Sequence, residues 1–181
     1  MTRMLLLYST TDGQTLAIGR RLAAIVAAAG HAVELRPIEA ADTAVLDGYA
    51  MIVIGARIRY GHHSPQVRDF VRRHRALLES RPSGFFSVCV VARKPGKDTP
   101  AGNPYYRKFL RRSGWRPRFQ AVFAGRIDYR RYGPVDRALI RFIMWLTGGP
   151  TAPDACVEFT DWTAVEAFGR ELAAGAAGLP G

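Results

Sequence analysis

The chain has 181 residues, of which 48% are hydrophobic and 23% are charged. These values are ordinary for a globular protein, so they exclude a disordered chain, and two cysteines are too few for a disulfide framework. The length suits a single α/β domain covering residues 1–181. The formal net charge is +11, and residues 51–149 hold 21 of the 26 basic residues. Such a charge favours an anionic partner: nucleic acid, a membrane surface, or a substrate with carboxylates or phosphates.

The first apolar run, residues 4–8, is short and is followed at once by polar residues, so we expect no signal peptide. No stretch reaches the ~18 apolar residues of a transmembrane helix. We therefore expect a cytoplasmic protein whose contact with a membrane is at most peripheral.

Five apolar runs predict five strands. In chain order they are residues 4–8, 32–35, 51–54, 85–91 and 121–124. The third and fourth runs are almost continuously apolar, which is typical of parallel strands covered by helices on both faces. The sequence therefore predicts an α/β fold with a doubly wound, five-stranded parallel sheet.

Helical patterns alternate with these runs, and their ends are marked by capping residues. The marks are Gly30 after the first helix, and Ser64-Pro65, Asn103-Pro104 and Asp161 at the starts of later ones. A further short helix, with weaker signals, is predicted within residues 39–46.

Hydroxyl side chains and a glycine follow the first strand directly. The segment is Ser9, Thr10, Thr11, Asp12, Gly13, Gln14 and Thr15. A helix begins here, so unpaired backbone N–H groups and the helix dipole favour an anion, and the hydroxyls add donors. The sequence predicts a phosphate-binding loop that is neither a Walker loop nor a GxGxxG loop. The alternative is a hydroxyl-rich N-cap, and we expect the Asp12 side chain to cap the helix rather than face a ligand.

This loop, together with the strand before it, resembles the FMN phosphate signature of the flavodoxin family. The resemblance implies the strand order 2-1-3-4-5, with FMN bound at the carboxyl ends of the strands. Two further segments then flank the flavin. They are Ala56, Arg57, Tyr60 and Gly61 after the third strand, and Val91, Ala92 and Arg93 after the fourth. Arginines there would favour an anionic reduced flavin, although they can equally form a solvated rim.

A basic segment and a broadly apolar helix follow the fifth strand, and we assign residues 127–149 to a helical insert. Within residues 135–146 the apolar side chains cover most of the helix, and Arg137 and Arg141 occupy the narrow remainder. Such a helix is either packed against the protein or lies in an anionic membrane interface.

Several segments along nearly the whole chain together resemble the menaquinone-dependent protoporphyrinogen IX dehydrogenases. They are residues 9–10, 12–15, 58–62, 91–95, 115–117, 132 with 136–137, 148–149 and 160–162, whereas Thr11 stands where the family has a basic residue. The resemblance implies FMN-dependent oxidation of protoporphyrinogen IX to protoporphyrin IX in haem biosynthesis. It also implies that electrons pass to a membrane quinone, menaquinone or ubiquinone, at the inner face of the cell membrane.

The implied substrate is a large apolar ring with propionates, which suits arginine side chains beside an apolar surface. We expect the basic residues of the insert region to hold anionic lipid or these propionates. They are Arg126, Arg130, Arg131, Arg137 and Arg141. No general base is assigned, and His62 is the single weak candidate. No metal site is expected, because no Cys, Asp or Glu lies at ligand spacing around His62 and His63.

Three other functions remain open at this stage. A flavodoxin-like electron carrier would need the acidic docking face that this chain lacks, and an NAD(P)H:quinone reductase would be reduced by NAD(P)H. The interpretation as a nucleic-acid-binding module depends on the basic charge alone and does not explain the phosphate loop. We therefore expect no nucleic acid partner. The sequence leaves a homo-oligomer open.

Overall fold

A computed structural model describes residues 1–41 and 46–179. The strands in this part of the chain are β1 (Arg3–Ser9), β2 (Ala32–Pro37), β3 (Met51–Arg59), β4 (His62–His63), β5 (Ser83–Cys89), β6 (Phe119–Ala124), β7 (Arg126–Asp128) and β8 (Cys156–Glu158). The helices are α1 (Gln14–Ala28), α2 (Pro65–Glu79), α3 (Pro104–Ser113), α4 (Pro134–Thr147) and α5 (Trp162–Ala177).

Five parallel strands form the central sheet in the order β2-β1-β3-β5-β6. The predicted order 2-1-3-4-5 is thereby confirmed, since the fourth and fifth predicted strands are β5 and β6. The two-residue strand β4 was missed, because it forms only a short antiparallel hairpin with the end of β3.

The sheet has a hydrophobic core on each face. In β1, Leu5 and Leu7 belong to the core that includes α2 and α3, whereas Met4 and Leu6 belong to the core that includes α1 and α5. This division follows from the period of two in a strand, which sends alternate side chains to opposite faces. The side chains of β1 are therefore buried on both sides of the sheet, as the predicted doubly wound arrangement requires.

The predicted helix starts are confirmed by their caps. The Ser64 hydroxyl accepts from the N–H of Val67 at 3.4 Å, and the Asn103 side chain accepts from the N–H of Tyr106 at 3.1 Å. Asp161 caps α5 in the same way. These caps satisfy N–H groups that have no partner inside the helix.

Two predicted elements differ from the structure. Residues Ile38–Ala40 form a single 3-10 turn, and residues 42–45 of the short helix predicted within 39–46 lie outside the described residues. The fourth predicted strand, 85–91, ends early at Cys89, and Val90–Arg93 is a 3-10 turn. The pairing of β5 with β6 ends at Cys89 and Ala124, where the N–H of Gly125 makes a last hydrogen bond to the carbonyl of Cys89.

The insert after β6 is longer than the predicted 127–149. Strands β7 and β8 pair antiparallel, so the first and last residues of the insert lie side by side. The insert therefore covers residues 126–158. A three-residue strand carries too little periodicity to be seen in the sequence. The insert has a small core of its own, formed by Ile127, Tyr129, Tyr132 and Met144.

Helix α4 turns its arginines inward and much of its apolar side outward. Arg137 Nε donates to the carbonyl of Tyr129 at 3.0 Å, and Arg141 Nε donates to that of Thr151 at 2.9 Å. Phe142 and Trp145 are 54% and 69% exposed. The arginines satisfy carbonyl groups of the irregular parts of the insert, which need donors. Among the described helices, none is long and apolar enough to cross a bilayer.

Candidate active site

A cavity lies at the carboxyl ends of β1, β3 and β5, where parallel sheets place their ligands. We call it the edge cavity. Its walls come from the loop after β1, the end of β3, the end of β5 and the insert. They are lined by residues 10–12, 14–15, 57–60, 88–90, 125–127, 132, 140 and 143–144.

The loop after β1 has the geometry of an anion-binding turn. Gly13 takes a left-handed conformation with φ of 84°, and the Thr10 hydroxyl accepts its N–H at 3.0 Å. Helix α1 starts at Gln14, so the N–H groups of its first turn have no acceptor within the helix. The predicted cap by Asp12 is wrong, because Gly13 occupies the N-cap position and the N-cap makes no side-chain hydrogen bond.

Arg57 brings a half-buried positive charge to the edge cavity. Its Nε atom is buried and has no hydrogen-bond partner among the described residues. Burial, and secondly the charge of Arg59, lower the pKa of this guanidinium from its ordinary value. A buried donor without an acceptor costs free energy, so Arg57 fits an anionic group held in the cavity.

The insert is fastened to the loop and to the end of β3. Arg131 Nη1 donates to the carbonyl of Asp12 at 2.7 Å. Arg59 and Tyr60 both donate to the carboxylate of Asp136, in the first turn of α4. The hydrogen bond to Asp136 raises the pKa of the Tyr60 hydroxyl, which keeps it a donor. These contacts make the insert one wall of the edge cavity.

The insert wall is largely apolar and was not predicted as part of the site. It presents Tyr132, Ile140, Ile143 and Met144 to the edge cavity. The sequence showed Ile140, Ile143 and Met144 within an apolar helix pattern, but nothing local says which side of that helix meets the cavity. A second missed residue, Cys89, also lines it, and burial raises the pKa of its thiol, so the thiol stays neutral.

Several predicted cofactor residues lie together and others do not. Thr10, Thr11, Asp12, Gln14, Thr15, Arg57 and Tyr60 all line the edge cavity. Ser9 and Ala56 are buried in β1 and β3 just behind it. Arg93 instead donates to the carbonyl of Thr147, which fixes the end of α4. Neither Val91 nor Ala92 lines the cavity, where Val90 takes their place.

The weak candidate His62 lies on the far side of the β3–β4 hairpin. It is exposed and lines, with Gly61, a separate cleft between α2 and α3. Its neighbour His63 is buried, and its Nε2 is hydrogen-bonded to the Ser87 hydroxyl at 2.7 Å. Burial lowers the pKa of His63 to about 3, with smaller effects from His62 and Arg68. His63 is therefore neutral near pH 7 and acts as part of the core.

The five arginines predicted to meet lipid or substrate all have protein partners. Arg126 and Arg130 bind the carboxylate of Asp128, at 3.0 and 3.2 Å. The partners of Arg131, Arg137 and Arg141 are backbone carbonyls. Arg126 also lines the edge cavity. In the described part of the chain, no three His, Cys, Asp or Glu side chains cluster as a metal site would require.

Comparison with known proteins agrees with this geometry. Residues 5–154 match the flavodoxin domain family. The fold resembles a flavodoxin from the domain Archaea, with a TM-score of 0.57, 12% identity, and coverage of 97% of this chain and 99% of that one. A flavodoxin from Pseudomonas aeruginosa has a TM-score of 0.56 at 14% identity, covering 97% and 99%. At such identities the similarity concerns the fold alone.

Sequence relatives define the group more narrowly. The chain is 43% identical over 171 residues to protoporphyrinogen IX dehydrogenase (quinone) of Escherichia coli strain K12, covering 94% of each. It is 42% identical over 176 residues to the protein of that name from Leishmania major, covering 95% of this chain and 75% of that one. The chain belongs to the flavodoxin family and, within it, to the quinone-dependent protoporphyrinogen IX dehydrogenases. Its cofactor is a flavin.

Proposed function

We propose that the protein uses FMN to oxidise protoporphyrinogen IX to protoporphyrin IX and passes the electrons to menaquinone or ubiquinone. The observation that carries this proposal is the edge cavity, in which an anion-binding loop and the Arg57 guanidinium, with its buried and unpaired Nε, face an apolar wall. Relatives that share 42–43% identity with the chain bear the corresponding name.

The residues of the edge cavity suit FMN in particular. A phosphate can accept hydrogen bonds from Thr10, from Thr15 and from the free N–H groups of α1. The unpaired Nε of Arg57 can donate to another acceptor of the cofactor. Tyr60 and Val90 supply flat or apolar surface for a ring. Bound FMN supplies a two-electron acceptor that can be reoxidised, which is the chemistry that a six-electron oxidation needs three times.

The chain itself contributes binding, orientation and exclusion of water. Ile140, Ile143 and Met144 close the edge cavity with aliphatic surface. Arg57 and Arg59 hold positive charge beside it, and this favours anionic groups. The group that transfers the proton is unassigned, because the exposed ring of His62 lies in the separate cleft on the far side of the β3–β4 hairpin.

We further propose that α4 rests on an anionic membrane surface, where the quinone is dissolved. Its outward side consists of large apolar residues that lie in solvent in the structure. They are Val135, Leu139, Phe142, Trp145 and Leu146, which are 42–80% exposed. Arg130 and Arg131 lie in the turn before α4, and the net charge of +11 attracts anionic lipid. Arg137 and Arg141 serve instead to fold the insert.

The test is an anaerobic titration of the purified protein followed by its absorption spectrum. We expect a flavin spectrum that bleaches when protoporphyrinogen IX is added, with porphyrin bands appearing, and that returns when a menaquinone analogue is added. A flavin spectrum that protoporphyrinogen IX leaves unchanged would contradict the proposed substrate. Failure to take up FMN would contradict the assignment of the loop.

A further inference from the structure

The cleft between α2 and α3 is separate from the edge cavity and is strongly basic. We call it the basic cleft. It has a volume of about 450 Å³ and lies beside the tip of the β3–β4 hairpin. Four cationic side chains line it: Arg68 and Arg72 from α2, and Lys108 and Arg112 from α3. The acidic residue among its described lining is Asp69, which pairs with Arg72 at 3.1 Å.

Three of these cations are available to a ligand. Within residues 1–41 and 46–179, the side chains of Arg68, Lys108 and Arg112 have no hydrogen-bond or ion-pair partner. Arginine can bind a carboxylate through two parallel hydrogen bonds, and lysine acts as a point charge. Three free cations around one concave surface therefore favour a ligand with more than one negative charge.

The floor of the basic cleft is aromatic. Phe109 and His63 lie there with ring centroids 4.6 Å apart, and Tyr105 packs against Gly61. Tyr105, Lys108, Phe109 and Arg112 follow the helical spacing i, i+3, i+4, i+7, which places them on one side of α3. Apolar surface below and cations above suit an amphipathic ring with acidic side chains rather than a small inorganic ion.

The basic cleft and the edge cavity share a wall. Tyr60 lines the edge cavity, whereas the next residue, Gly61, lines the basic cleft. Consecutive Cα atoms are ~3.8 Å apart, so a large ring placed against the hairpin can reach both sites. We propose that the basic cleft binds the two propionates of the tetrapyrrole while its ring faces the edge cavity. This inference rests on the proposed function and adds the place where the carboxylates of that substrate are held.

The chain offers a matched pair of variants for the test. Lys108→Gln/Arg112→Gln removes two positive charges from the side of α3 that lines the basic cleft. Arg107→Gln/Arg111→Gln removes two charges at the same spacing from the same helix, at exposed positions outside the cleft lining. Both variants lose the same net charge. A difference between their affinities is therefore due to the cleft residues and not to the net charge of the protein.

The measurement is the Kd of the FMN-loaded protein for protoporphyrin IX and for its uncharged dimethyl ester, in micelles of a nonionic detergent. We expect Lys108→Gln/Arg112→Gln to raise the Kd for the acid about tenfold, and Arg107→Gln/Arg111→Gln to change it less than about twofold. The native protein should bind the ester more weakly than the acid. Equal effects of both variants, or equal binding of ester and acid, would overturn the inference.

A lipid phosphate could use the same cations, so a second arm measures binding to vesicles containing phosphatidylglycerol. We expect both variants to lose vesicle affinity to the same extent. Selective loss with Lys108→Gln/Arg112→Gln, while its Kd for protoporphyrin IX is unchanged, would assign the basic cleft to lipid and overturn the inference. The Kd can be measured without turnover. A protein that binds protoporphyrin IX through the basic cleft but does not oxidise protoporphyrinogen IX would therefore disprove the proposed function and leave the inference on the cleft intact.

Discussion

Arg59 donates a hydrogen bond to the carboxylate of Asp136 and so joins the end of β3 to the first turn of α4 across 77 residues of sequence. Tyr60 donates to the same carboxylate. The Asp136 side chain of the insert therefore holds the end of β3, and residues 57–60 there also line the edge cavity. Asp136 therefore helps to hold the insert over the cavity, together with the hydrogen bonds of Arg131 to Asp12 and of Arg93 to Thr147.

Replacing Asp136 should loosen the insert without unfolding the sheet. We expect Asp136→Ala to increase hydrogen exchange in residues 134–147 and to weaken flavin binding about fivefold, which corresponds to about 1 kcal/mol. Asp154→Ala is the control, since Asp154 is an exposed acid of the same insert with no ion pair among the described residues. Unchanged exchange and flavin affinity in Asp136→Ala would show that the insert is held elsewhere.

Arg57 should lower the stability of the flavin-free protein but strengthen the binding of FMN. A buried Nε atom that has no partner among the described residues destabilises the flavin-free protein. We therefore expect Arg57→Met, which keeps the volume but removes the charge, to raise the free energy of unfolding of the flavin-free protein by about 1 kcal/mol. The same variant should raise the Kd for FMN about tenfold.

The checks for Arg57 are urea unfolding of the flavin-free protein and titration with FMN. Arg20→Met, at an exposed position of α1, is the matched control and should change neither quantity appreciably. If Arg57→Met lowers both stability and flavin affinity, the guanidinium is satisfied in the flavin-free protein and the argument from its unpaired Nε fails.

His63 should make the protein less stable in mild acid. Burial lowers its pKa from 6.5 to about 3 in the folded protein, so the unfolded chain binds the proton more tightly. The stabilisation by neutral His63 is complete above about pH 6.5 and falls by about 1.4 kcal/mol per pH unit from there towards pH 3. We expect His63→Gln to reduce the loss of stability between about pH 7 and about pH 5.

Urea unfolding at both pH values gives the change of unfolding free energy with pH, and this slope is compared between the native protein and His63→Gln. His74 is also partly buried with a lowered pKa and contributes in the same direction, so some pH dependence should persist in His63→Gln. The exposed His62 provides the control, and His62→Gln should keep the slope of the native protein. Identical slopes in native protein and His63→Gln would mean that His63 is not buried in solution.

The exposed face of α4 should govern membrane binding. Phe142 and Trp145 are stacked, with ring centroids 6.1 Å apart, and both are exposed. Burial of a large apolar side chain contributes about 2 kcal/mol, so Phe142→Ser/Trp145→Ser should weaken binding to anionic vesicles at least about tenfold. Flavin content should be unchanged, because neither residue lines the edge cavity.

Vesicle sedimentation measures this binding, with Trp162→Ser as the control for loss of a tryptophan elsewhere. Trp162 is 36% exposed and lies at the start of α5, where its Nε1 donates to Glu158 of β8 rather than to α4. Vesicle binding that survives in Phe142→Ser/Trp145→Ser but falls in Trp162→Ser would place the membrane contact on a different surface.

The sequence alone determined the elements whose signals are local. Ser64, Asn103 and Asp161 mark helix starts because each cap satisfies N–H groups within three residues of itself. The strands of the sheet were visible as apolar runs, and the hydroxyl-rich loop followed the first of them directly. Their order followed from the family resemblance that this loop carries.

Only the tertiary structure decided which way α4 faces and which residues form each site. Arg137 and Arg141 turn inward because the carbonyls of Tyr129 and Thr151 need donors, and those carbonyls are in reach only once the insert has folded. The basic cleft likewise joins Arg68 to Arg112 across the packing of two helices. Caps and periodicity act over a few residues and can be read from the chain, whereas side-chain partners distant in sequence exist only in the folded protein.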